Sequence, residues 1–256
     1  MNIFYLVLGS KKKPWVNIAK YGIDITWKTR LNNCDKLYYL YSSYDLGSSN
    51  ANRDDYLITN QDFLSRKLYK PIEVNFESLT FPTFTGWDSL LHKTMSALQY
   101  FISNSNFDYL IRTNVSSFWN PTVTRNLINS KVEELRTGIG GSLKTHQGIK
   151  YIEGDALIIS REVAEKLAKY NNKLNYNIID DVSIGDLCSK IGVNLINFPR
   201  PRIERLWDFH DTRFGPFEEI YKFRCKVADS YGDRDIPKDC EIMEKLHSML
   251  LNSTNY

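Results

Sequence analysis

The stretch from Phe107 to Asn120 most constrains what this chain can fold into. It opens as a buried strand does, with Phe107-Asp108-Tyr109-Leu110-Ile111 alternating and then running apolar. It stops at a small polar cluster, Thr113-Asn114-Val115-Ser116-Ser117, before Phe118 and Trp119. In an open α/β sheet, ligands bind at the carboxyl ends of the strands, so polar residues at such an end are candidate contacts. Asn and Ser also close side-chain turns, and on local evidence alone both readings stand. Strand alternation puts Arg112 and Asn114 on one face and Thr113 and Val115 on the other, leaving Asn114 and Ser116 able to point at one ligand.

Around this stretch the chain alternates apolar runs with helical spacing. Asn2 to Leu8, Lys36 to Tyr41, Ile72 to Phe76 and Val193 to Phe198 are dense in strand formers. Trp15 to Trp27, Trp87 to Phe101 and Pro121 to Leu135 place apolar residues three and four apart, with Asp88 or Ser89 positioned to cap the second of these helices. Phe81 to Gly86 reads as a linker, and Phe217 to Leu251 as two helical patches, Glu218 to Val227 and Asp239 to Leu251, that pack onto a sheet. Strand, loop and helix in repeated order predict an α/β fold, a Rossmann-like central mostly parallel sheet flanked by helices, in a single domain.

Composition narrows the partners. The 256 residues carry 33 basic and 30 acidic side chains, a net charge of +3 that is too small to attract nucleic acid or an anionic membrane in bulk. The expected partner is a small molecule or a neutral polymer. The four cysteines, Cys34, Cys188, Cys225 and Cys240, have no metal-ligand spacing and no disulfide framework, as expected of free thiols in a reducing cytoplasm. The apolar run Ile3 to Leu8 is too short to span a membrane, so the expectation is a soluble cytoplasmic protein.

Several residues stand where chemistry could be held. Gly9 and Ser10 end the first strand and can bring backbone N–H groups to a phosphate, while Lys11 to Lys13 fit a solvated basic turn. Tyr41 ends the second strand, ahead of Asp45 and a Gly, Ser and Asn-rich stretch over 46–54 that reads as a mobile loop or flap. Asp45 suits a ribose hydroxyl or a turn equally. Thr137 to Gly148 is a Gly-rich loop without the Gly-Lys-Ser/Thr ending of a P-loop. Asp180 and Asp181 open a short helix, Val182 to Lys190. They are either acids favoured at a helix N-terminus or a pair for proton transfer, in which one charge pushes the other's pKa up.

Four segments between about residues 86 and 190 occur in the order found in GT-A glycosyltransferases of the fringe and β-1,3-galactosyltransferase kind. His92-Lys93-Thr94 with Phe107 to Thr113 and Phe118-x-Asn120 resembles that family's Lys-Thr helix, strand and Phe-x-Asn. Gly154-Asp155-Ala156-Leu157-Ile158-Ile159-Ser160, continuing through Arg161 to Leu167, resembles its Gly-rich strand, its Ser helix start and the helix that follows. Ile179-Asp180-Asp181-Val182-Ser183-Ile184-Gly185 resembles its acidic Asp-Val-x-x-Gly motif.

The resemblance implies a GT-A-like fold and an enzyme moving a sugar from a nucleotide-sugar, most naturally a UDP-sugar, to a hydroxyl of a glycan or glycoprotein acceptor. It implies an inverting reaction with Asp181 as base and Asp180 as its neighbour or an acceptor ligand, while retaining chemistry, which needs no dedicated base there, stays open. The donor would meet Gly9, Ser10, Tyr41, Asp45, Lys93, Arg112, Asn114 and Ser116, and the acceptor Glu153, Gly154 and Asp155. Residues 1–120 would be the donor half, 121–215 the acceptor and catalytic half, and 216–256 a helical packing segment. Where the family carries Asp-x-Asp for a Mn or Mg ion, this chain has Asn114-Val115-Ser116, which lack anionic oxygens. Three alternatives follow: a weak metal site completed by His210, a diphosphate met by cations such as Lys93, Arg112, Arg200, Arg202 and Arg213, or a protein that binds without turnover. Another nucleotide-dependent transferase is the remaining enzyme class.

Overall fold

The computed structural model describes residues 1–44, 68, 70–84, 89–203, 216–227 and 235–253. Asp45, the stretch 46–54, Asp88, His210 and Arg213 lie outside them, as does the side chain of Arg202.

In chain order the strands are β1 (Ile3–Leu8), β2 (Lys36–Tyr44), β3 (Glu73–Asn75), β4 (Ser78–Phe84), β5 (Tyr109–Asn114), β6 (Ser117–Trp119), β7 (Gly138–Gly141), β8 (Leu143–His146), β9 (Ile149–Ile152), β10 (Ala156–Ser160), β11 (Asn194–Asn197), β12 (Arg202–Ile203) and β13 (Lys222–Cys225). The helices are α1 (Trp15–Ile18), α2 (Leu90–Asn104), α3 (Pro121–Ser130), α4 (Val132–Thr137), α5 (Arg161–Lys169), α6 (Asp180–Ile191) and α7 (Ile236–Ser253).

Among the described residues, eight strands form one sheet in the order β11-β7-β10-β5-β1-β2-β4-β3. β4, β2, β1 and β5 are mutually parallel, as are β7 and β11, while β10 runs antiparallel to both β5 and β7. β7 therefore points the same way as β5. This is the expected α/β architecture: a mostly parallel sheet flanked by helices. Consecutive residues of β1 divide between the two faces. Ile3, Tyr5 and Val7 enter one apolar cluster with α7, and Phe4, Leu6 and Leu8 enter the other with α2, α5 and α6. A strand buried on both sides must be apolar throughout, which is why the run is legible in the sequence. From β1 the chain proceeds to β2 and β4 on one side and is then carried back by α2 to β5 on the other, so the switch point lies at the ends of β1 and β5.

Five sequence expectations are corrected. Gly138 to Gly141 is not a loop but an interior strand. A Cβ at Gly140 would occupy the ring of Phe198, and one at Gly138 the side chain of Ile196. Large side chains from the next strand fill the space, so glycine marks close packing here. The rest of that stretch is a hairpin, β8–β9, whose turn residues Gln147 and Gly148 both have positive φ (48° and 80°), as a two-residue type I′ turn requires.

The linker at Phe81 to Phe84 belongs to β4. Pro82 is tolerated because β3 pairs only with Ser78, Leu79 and Thr80 and so demands no N–H there. Finally, the helical patch expected over Glu218 to Val227 is a single 3₁₀ turn followed by β13, which pairs antiparallel with β6 and parallel with β12 in a second, three-stranded sheet. Elsewhere the expected 121–135 helix is broken into α3 and α4 at Lys131, and only a four-residue α1 with a π turn stands in the 15–27 region. No helix among the described residues is long and apolar enough to cross a membrane.

Candidate active site

The carboxyl ends of β1, β2 and β5 meet at Gly9. Its N–H donates to the Leu40 carbonyl at 3.2 Å, and a Cβ there would press on the Tyr41 ring (3.3 Å) and Val115 (3.7 Å). Tyr41 is half-buried, stacks on Tyr39, and lies under Lys11 Nζ at 5.6 Å; burial, with Asp24 and Glu77 near, pushes its phenol up to about 12. Ser10 Oγ accepts from the Lys12 N–H at 3.1 Å, closing the basic turn. Lys93 lies buried within α2. Gly9, Tyr41 and the end of β5 are thus brought together, whereas Lys93 and Arg112 sit deeper.

At the end of β5, Asn114 turns its side-chain carbonyl back on its own chain. Oδ1 accepts from the Ser116 N–H (3.2 Å), the Ser116 hydroxyl (2.8 Å) and the Ser117 hydroxyl (3.3 Å). This is an Asx-type turn, and Ser116 is buried within it. The oxygen that stands in place of the metal-binding carboxylate is occupied by three donors, and hard cations want anionic oxygen ligands. Among the described residues no group of three or more His, Cys, Asp or Glu is placed to hold a metal ion. The described residues here do not fit a divalent cation.

A carboxylate pair opens α6 nearby. Arg112 projects from β5 to the helix side and forms an ion pair with Asp180, both side chains being almost wholly buried. Gly154, just before β10, lies flat against the guanidinium, and any Cβ there would collide with Arg112 Nη1. The Gly154 N–H donates to Asp181 Oδ2 at 2.9 Å, while the helix's own Val182 N–H donates to Asp181 Oδ1 at 2.9 Å. Burial, then the neighbouring Asp180, push the Asp181 carboxyl above the ordinary carboxylate value, with the Gly154 N–H and Arg112 opposing. Partly exposed, Asp181 is thus held by the turn before β10 and by the first turn of α6.

Further along the same helix, Gly185 rests on β9, where a Cβ would collide with the Lys150 carbonyl and Tyr151. The glycine of the acidic motif is thus required by helix-to-hairpin contact. Gly185→Ala is expected to destabilise the protein by about 1–3 kcal/mol through overpacking, seen as a lowered urea midpoint at unchanged slope.

On the other side of β10, Asp155 is buried and gathers cations. Lys222 Nζ lies 2.5 Å, Arg200 3.0 Å and Arg224 3.2 Å from its Oδ2. Glu153 pairs with Arg200 at 2.9 Å. Burial opposes ionisation of Asp155, but the three cations hold its carboxyl well below the usual carboxylate range. Lys222, fully buried with its Nζ 5.6 Å from the Trp119 ring, is pulled down to about 7 by burial and by the two arginines, against the raising effect of Asp155. Lys222 and Arg224 escaped the sequence reading, because a helix over 218–227 would have set them on no common face with Asp155. The signal was the alternation Lys222-Phe223-Arg224-Cys225, which has strand period.

The Galactosyltransferase family model matches residues 140–199, a segment holding Gly154, Asp155, Asp180, Asp181 and Gly185. This is the second half of the span in which the motifs resemble fringe and β-1,3-galactosyltransferase enzymes, and it supports a glycosyltransferase. No curated protein matches the chain.

Among solved structures, similar chains include the mannosyltransferase PcManGT of Pyrobaculum calidifontis, in complex with GDP-Man and Mn2+, at 12% identity and TM-score 0.44 over 77% of this chain and 55% of that one. Others are the glycosyltransferase GlyE of Streptococcus pneumoniae TIGR4 (11%, 0.45, over 99% and 63%) and mouse xyloside xylosyltransferase 1 in its apo form (10%, 0.41, over 91% and 99%). The chain spans 55% and 63% of the length of the first two.

Proposed function

We propose that this protein transfers a sugar from a nucleotide-sugar, in the first place a UDP-sugar, to a hydroxyl of a glycan acceptor, with inversion at the anomeric carbon. The observation that carries this reading is Asp181, fixed between the Gly154 N–H and the start of α6 with its carboxyl raised. The donor lies across the ends of β1, β2 and β5, with Gly9 and Tyr41 beneath it. Asp181 takes the proton of the acceptor hydroxyl as that oxygen bonds to the anomeric carbon, and the bond to the diphosphate breaks on the opposite face. Glu153 and the β8–β9 hairpin border the acceptor.

Incubation with a panel of UDP- and GDP-sugars is expected to raise the melting temperature with one of them, as mass action requires, and to release nucleoside diphosphate when an acceptor glycan is added. Absence of binding by every nucleotide-sugar would remove the reading. A second reading, a protein that binds nucleotide-sugar without turnover, is favoured by the closed turn at Asn114. Binding without release across a broad acceptor panel would select it.

A further inference from the structure

We propose that Arg200, Lys222 and Arg224, gathered on Asp155, form the seat of the donor's diphosphate and supply by side-chain charge what a divalent ion supplies in Asp-x-Asp enzymes. The proposal rests on the glycosyltransferase reading and deepens it at the same site.

Position is the first argument. The Ser117 hydroxyl lies 3.3 Å from Asn114 Oδ1 and 3.4 Å from the Asp155 carbonyl, so the cluster begins where the closed turn ends. The strand that carries two of the cations is bound to that turn, since the Cys225 N–H donates to the Ser116 carbonyl at 2.8 Å and Arg224 stands opposite Ser117 in the β6–β13 ladder. Lys222 and Arg224, two apart on a strand, reach the same carboxylate.

Charge is the second argument. Among the described residues three basic side chains converge on one oxygen of Asp155, and Arg200 also meets Glu153. Such crowding disfavours each cation, and a dianion arriving beside them would relieve it.

Geometry is the third. Arg224 is 19% and Arg200 6% exposed, while Lys222 is wholly buried behind them over Trp119, with Tyr221 alongside. The partly exposed Arg224 guanidinium, with that of Arg200 buried beside it and an ammonium behind, suits phosphate oxygens, which accept paired N–H donors.

The test uses the whole chain, with calorimetric titration of UDP and of inorganic pyrophosphate in EDTA and in Mn²⁺. Both probes are expected to bind in EDTA, and Arg224→Gln to weaken each by about tenfold or more, equivalent to one lost charged contact. Far-ultraviolet dichroism and melting temperature establish that the variant is folded. Lys222→Met, which keeps the buried volume, is expected to act in the same direction. Binding of UDP only with Mn²⁺, or wild-type affinity in folded Arg224→Gln, would overturn the proposal and leave the transferase reading intact. Pyrophosphate binding lost in Arg224→Gln, with no nucleotide or nucleotide-sugar bound, would uphold the anion seat and remove the transferase reading. Failure of both probes under all conditions would remove both.

Discussion

Asp181→Asn is expected to lower sugar transfer by about 10²–10⁴-fold while leaving donor binding and the melting temperature close to wild type, since a general base contributes on that order. The amide keeps the shape and its oxygen can still accept the Gly154 N–H, at the cost of setting its NH2 against the Val182 N–H, but it cannot take the acceptor proton. The measurement is nucleoside diphosphate release with the donor found in the panel, at saturating acceptor. The wild-type rate is expected to rise with pH along an acidic limb set by Asp181, because the base works only when deprotonated. That limb lies above the ordinary carboxylate value, since burial and Asp180 raise the Asp181 carboxyl. A folded variant of undiminished rate would remove Asp181 from the mechanism.

Arg112→Met carries the largest expected effect on stability, a loss of about 3–5 kcal/mol in urea unfolding, as for any buried ion pair stripped of one partner. Arg112 and Asp180 are 3% and 5% exposed, so the carboxylate left behind has no water to replace the guanidinium. Removing both charges in Arg112→Met with Asp180→Leu is expected to recover most of the loss. The cycle separates an interaction between the two residues from independent contributions. Additive losses would show that Asp180 has another partner.

The parts of the fold that could be read from the chain are those where both faces of an element are apolar or one stripe is. β1 announces itself because burial on two sides leaves no room for polar residues, and β5 does so over its apolar first half, Tyr109 to Ile111. β7 does not, since its glycines are chosen by Phe198 and Ile196, side chains more than fifty positions away. β13 was hidden for a related reason: its polar residues face inward to a carboxylate rather than outward to water. In the site, the pairing of Asp181 with Gly154 joins residues 27 positions apart, and only the resemblance of two motifs to one family put them together beforehand. Arg112, expected at the donor, is ion-paired with Asp180, a partner the sequence did not reveal. The sequence shows which charges exist, while their pairing depends on which strands are neighbours.

The β8–β9 hairpin, finally, is a finger that can be rewritten. Its base is held by the Glu153 N–H to the Ser142 carbonyl and by the Leu143 N–H to Asn197, and α6 is seated on β9 through Gly185. A Cβ added at its tip, at Gly148, would meet nothing within 4 Å. Lineages descending from such a chain can lengthen, shorten or recompose that tip without disturbing the register of β7 or the hydrogen bond from Gly154 to Asp181, so the surface can change while the framework beneath it stays as it is.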